Sequence, residues 1–196
     1  MPVKSNSGFS LISIVMSIIL ISFALLMVTT TMIPTSQYSA ELIYSTKAAE
    51  LGSAVMDEVI GRQFDQNSGP NGGVPECNSP AGELCTIPEN LGPDTDLANG
   101  IDETNRTEYN DVDDFNGLSG SVKDVLGGEL AGIYPNFSIS ITVFYDKKAV
   151  TQSNGKSVTE MMGVESNVNT NAKRIVVTIV DPSGQNYVFS AVRGNF

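Results

Sequence analysis

The chain has 196 residues, a formal net charge of −11, two cysteines, and neither histidine nor tryptophan. From Glu50 to Glu129, 17 acidic side chains stand against only Arg62, Arg106 and Lys123, a balance that argues against a nucleic-acid partner, which needs a basic footprint, and against docking on anionic lipid. The lack of histidine removes the commonest general base and the commonest zinc ligand.

Residues 1–7 form a short polar, basic stretch whose one charged side chain is Lys4. Gly8-Phe9 follows, and then an apolar run with scattered Ser and Thr that meets no charged side chain before Glu41. About 20 apolar residues cross the hydrocarbon core as a helix, and hydroxyls can bond back to helix carbonyls, so this run is long enough to span. A cleaved secretory signal would have a shorter apolar core and a small-x-small exit. Pro34, near the end of the run, predicts a bend. From residue 37 the pattern turns amphipathic. Leu51, Val55 and Val59 recur every four residues beside Met56, Ile60 and Phe64, one stripe suited to covering a sheet. The segment from Phe9 to about Phe64 is expected to be a single long, bent helix, roughly 80 Å at 1.5 Å per residue, with Glu58 and Arg62 paired four residues apart.

Residues 67–105, rich in Gly, Pro, Asn and Asp, read as a long loop, either a functional surface or disordered. In an exported domain Cys77 and Cys85 are expected to form a disulfide around Pro80 and Gly82, contributing about 2–3 kcal/mol in the chain-entropy picture; two free thiols would require a reducing compartment. Asp111, Asp113, Asp114 and Asn116 offer hard oxygen ligands close together, as calcium prefers. The spacing is not that of an EF-hand, since Phe115 and Val122 occupy the fifth and twelfth positions counted from Asp111. The competing reading is a turn in which these side chains cap backbone groups and Phe115 points inward. The acidic loops are expected to form exposed surface.

Phe137 to Tyr145 alternates as a strand. Residues 147–170 read as a polar loop with a short element near Met161-Met162. Arg174 to Val180 and Tyr187 to Arg193 are strands joined by a turn at Asp181-Pro182-Ser183-Gly184. A helix followed by antiparallel strands gives an α+β fold with the sheet packed on the second half of the helix. Ser153-Asn154-Gly155-Lys156 matches a Ser-x-x-Lys pattern without its companion motif, and no Gly-rich phosphate loop occurs. Nothing points to an enzyme or to a cofactor beyond possible calcium.

The polar leader, the Gly8-Phe9 junction and the immediate apolar run together resemble the type IV prepilin family. The resemblance implies cleavage by a membrane peptidase after Gly8, methylation of Phe9, and retention of the helix on the mature protein. The usual Glu at the fifth mature position is here Ser13. That departure fits a minor, tip-placed subunit better than a repeating one, because a neighbour's terminal amine would otherwise stay unpaired in an apolar core. Ala48-Ala49-Glu50-Leu51-Gly52, Met56-Asp57-Glu58-Val59-Ile60-Gly61-Arg62, Phe64-Asp65, the stretch from Asp111 to Leu118 and the stretch from Phe189 to Phe196 are similar to MshD-type minor pilins of the mannose-sensitive haemagglutinin pilus, which serves surface adhesion. The implied organisation is a leader (1–8), a membrane and filament-core helix (9–36), its amphipathic continuation (37–65) and a periplasmic, then extracellular, pilin domain (66–196). The implied partners are other pilin subunits through the helix, the prepilin peptidase and the inner membrane. A pseudopilin of a type II secretion system is the alternative within the superfamily. A calcium-dependent binding domain on a simple membrane anchor is the alternative outside it.

Overall fold

The computed structural model describes residues 10–69, 73–96, 100–124, 126–147 and 163–196. Gly8 and Phe9, the Ser-x-x-Lys pattern at 153–156 and the expected element at 161–162 lie outside the described residues. The chain divides into two compact units, Met1–Ile43 and Tyr44–Phe196.

Helix α1 (Leu11–Ile60) begins in the first unit. Its segment Leu11–Thr30 is 20 residues long and apolar enough to cross a membrane, and none of it is buried within the protein. At 1.5 Å per residue that is about 30 Å, the thickness of the hydrocarbon core. Three of its hydroxyls bond back to helix carbonyls. Ser17 donates to the Ser13 carbonyl (2.8 Å), Thr29 to those of Leu25 and Leu26, and Thr30 to that of Met27, which is how such side chains are accommodated in lipid. The helical backbone continues through Pro34.

The second unit is built on a four-stranded antiparallel sheet in the order β3 (Ser119–Ser121), β4 (Ser138–Tyr145), β5 (Ala172–Val180), β6 (Asn186–Gly194). Alternation puts Ile139, Ile141 and Val143 of β4 on one face with Ile175, Val177 and Ile179 of β5. On that face lie Ala48, Leu51, Val55, Met56 and Val59 of α1, joined by Val112, Phe115, Val122 and Phe137. Each large apolar side chain fully buried here contributes about 1.5–3 kcal/mol. The β5–β6 turn is organised by Asp181, whose Oδ1 accepts from the Ser183 and Gln185 amides at 2.8 and 3.0 Å. Gly184 supplies the left-handed residue that the turn needs, with φ of +86°.

Three expectations are corrected. The helix stops at Ile60, four residues short of Phe64. The Gly61 amide still reaches the Asp57 carbonyl, Arg62 tightens onto Val59, and Gln63 then bridges to Asp111 in parallel. Phe64 consequently leaves the helical stripe and packs with Cys77, Cys85 and Tyr145 in a second cluster. Glu58 does not wait for Arg62; Arg106 takes its carboxylate. The 67–105 stretch also contains ordered structure, a 3-10 turn at Pro88–Asn90 and a two-residue hairpin of β1 (Thr95–Asp96) and β2 (Ile101–Asp102). β1 to β3 are too short to show any periodicity in sequence.

Gly52 is where α1 meets β6. A Cβ there would sit 2.3 Å from the Phe189 ring. Glycine inside a helix costs about 1 kcal/mol relative to alanine, and the close approach explains its use. Gly52→Val is expected to destabilise the fold by about 1–3 kcal/mol in denaturant titration through overpacking, and Phe189→Ala in the same chain is expected to recover part of that loss.

Candidate functional site

The acid-rich composition suggests an exposed acidic surface, yet Asp65, Glu103, Asp111, Asp113, Asp114, Asp146 and Asp181 are all buried. Buried carboxylates need partners, and their partners define the most elaborate polar site among the described residues. At its centre is Lys173, near the start of β5 and wholly buried. Strand alternation puts Lys173 on the same face as Ile175, Val177 and Ile179, so its ammonium is delivered to the core side of the sheet.

Three chain segments converge on that ammonium. From the stretch just after α1, the Phe64 carbonyl accepts its hydrogen bond at 2.7 Å and Asp65 Oδ2 at 3.0 Å. From the 3-10 turn Asp113–Phe115, Asp113 Oδ1 accepts a third. The rings of Phe64 and Tyr145 lie 4.6 and 5.3 Å from Nζ, close enough for cation–π attraction. Asp65 is itself held by the Thr86 amide (2.9 Å), the Thr86 hydroxyl and the Tyr145 hydroxyl, which also donates to the Thr86 carbonyl at 2.7 Å.

Electrostatics follow from this packing. Burial pushes the Lys173 pKa down, but the charges of Asp113, Asp111 and Asp65 outweigh it and the net shift is upward. Burial raises the Asp113 carboxyl, with Lys173 opposing. Burial and the neighbouring Asp113 charge hold Asp111 well above the usual carboxylate range.

The expected calcium ligands are placed as follows. Asp111 Oδ1 accepts from the Asp113 and Asp114 amides at 2.7 and 3.3 Å. Asp114 Oδ2 accepts from the Asn110 and Asp111 amides at 2.8 and 2.9 Å. Asp113 faces Lys173. Asn116 spans elsewhere, donating to the Leu91 carbonyl (3.0 Å) and accepting from the Val143 amide (3.0 Å). Asp111 and Asp114 thus cap backbone amides of one turn, Asp113 pairs with Lys173, Asn116 bonds elsewhere, and Phe115 points inward. Asp114 lies instead with Asp94 and Glu103, the three offering carboxylate oxygens within 4.8 Å of one another. Burial first, and then the hydrogen bond to and the charge of Asp114, push Glu103 up to about 8. A proton on Glu103 relieves that repulsion at neutral pH. Lys173, Asp65 and Glu103 are functional candidates that the sequence reading did not single out.

Cys77 and Cys85 are joined in a disulfide, both buried. Asn195 donates to the Cys77 carbonyl at 2.9 Å and Asn169 to the Cys85 carbonyl at 3.1 Å, so the ring is fastened to residues flanking β5 and β6. Ser13 lies exposed on α1.

Comparison with protein-family models, with curated proteins and with solved structures returns no match.

Two outcomes are expected. Lys173→Met leaves Asp65 and Asp113 buried without their cation and should cost about 3–5 kcal/mol in chemical denaturation. For Glu103, whose pKa rises from 4.5 in the unfolded chain to about 8 on folding, the folded state binds the extra proton. Its contribution is therefore complete below about 4.5 and is lost as pH climbs through about 8. Glu103→Gln, a mimic of the protonated form, should flatten the decline in melting temperature between those pH values.

Proposed function

We propose that this chain is a membrane-anchored, type IV prepilin-like subunit with a pilin-like fold, a minor pilin that takes part in initiating or capping an adhesive filament of the mannose-sensitive haemagglutinin kind. The observation that carries the reading is the segment Leu11–Thr30, apolar, long enough to span and unburied within its own chain. A helix of that character loses its exposed apolar surface only in lipid or against other helices. The Gly8-Phe9 junction immediately before it gives the processing point, and the helix-on-sheet packing of the second unit supports the pilin-like architecture. Ser13, a neutral side chain where a shaft subunit carries Glu, fits a subunit with no neighbour's amine to meet. The work is assembly and contact rather than catalysis. The anchor starts in the inner membrane as a single span, and the second unit is exported.

N-terminal analysis of the protein extracted from membranes tests this reading. The mature chain is expected to begin at N-methylated Phe9, and Gly8→Val should leave residues 1–8 attached and keep the protein out of sheared filaments. Recovery of an intact Met1, or of a cut elsewhere, would overturn the proposal.

A further inference from the structure

We propose that Lys173 and Asp113 close into an intramolecular isopeptide bond, a covalent cross-link between the core face of β5 and the turn that precedes β3. This rests on the geometry of the second unit and not on the pilin reading. The Lys173 Nζ and the Asp113 carboxyl are in direct contact, both with side chains no more than 2% exposed. Two aromatic rings, Phe64 and Tyr145, enclose the amine, and a second carboxylate, Asp65, stands 3.0 Å from the same nitrogen. A third, Asp111, accepts from the Asp113 backbone amide at 2.7 Å. A nucleophile, an electrophile and a proton carrier, Asp65, are therefore held together where bulk water is excluded.

The step balances without any added reagent. The ammonium and the carboxylate together become one amide and one water. One N–H stays on the amide, and the other two protons leave with an oxygen of Asp113. Asp65 takes the first proton from Nζ. The freed lone pair attacks Cγ of Asp113, the C–N bond forms, and a second Nζ proton passes to the departing oxygen of Asp113. The proton held by Asp65 then joins the same oxygen, which leaves as water and returns Asp65 to its carboxylate. Condensation of an amine with a carboxylate is unfavourable in dilute water. Fixed neighbours react at effective concentrations of about 10⁵–10⁸ M, and the neutral amide removes two charges from a site where they are costly to bury.

Mass spectrometry of the purified full chain tests the proposal. After denaturation, reduction of the disulfide and proteolysis, the peptide bearing Asp113 should be found joined to the one bearing Lys173. Their combined mass should be lower by one water, about 18 Da, with no trypsin cleavage after Lys173. Asp113→Asn preserves the shape of the site and should close with loss of ammonia instead, about 17 Da. Lys173→Met should restore the full mass at this site. Unlinked peptides at full mass from the unaltered chain would overturn the proposal. So would a loss of water that persists in Lys173→Met, the signature of a cyclic imide elsewhere.

Discussion

A lysine ammonium with no access to solvent is the constraint from which much of the second unit follows. Desolvating it costs several kcal/mol that only close, well-directed partners return. Lys173 finds them in the Phe64 carbonyl, Asp65 and Asp113. Meeting that requirement draws the chain after α1 inward at Phe64 and Asp65 and sets the Asp113–Phe115 turn against the sheet. The apolar layer between α1 and the sheet supplies most of the burial, but it is tolerant of small shifts. The polar centre is not tolerant, because a misplaced segment leaves a charge unpaired.

Other charge pairs work at the margins of the same layer. Arg106 holds Glu58 of α1 through two nitrogens while its third reaches the Lys123 carbonyl at 3.0 Å. Arg174, next to Lys173 but on the opposite face of β5, holds Asp146 at 2.6 Å. Each arginine uses its forked donors on one carboxylate, a geometry that lysine does not offer. In a chain with twice as many acids as bases, several of the bases are spent on internal structure, and part of the acidic excess is structural rather than displayed.

The elements with a strong period were legible in the sequence. β4 alternates from Ser138 to Tyr145 as its residues predict, β5 and β6 extend their expected spans by a residue or two, and Leu51, Val55 and Val59 do line the sheet-facing stripe. The disulfide between Cys77 and Cys85 matches the pairing expected of two cysteines if the domain is exported. The end of α1 was not legible, because Phe64 continues the helical spacing by coincidence while serving a different cluster. Arg106 and Glu58 are 48 residues apart, and local spacing cannot see such a pair. The Lys173 site left one readable trace. Carrying the Ile179, Val177, Ile175 alternation one step further back lands on Lys173, a core position occupied by a charge. Hydrophobic patterning treats that position as the end of the strand, whereas it marks the place where the core turns polar.

The partners of Lys173 come from far along the chain, 108 residues away for Asp65 and 60 for Asp113. Its pocket therefore does not exist until helix end, turn and strand have all met, and the ammonium sheds its water late in folding. Contacts made after the barrier slow escape from the native state more than they hasten entry. The lysine thus acts as a kinetic lock, setting how long the folded domain persists rather than how quickly it is reached.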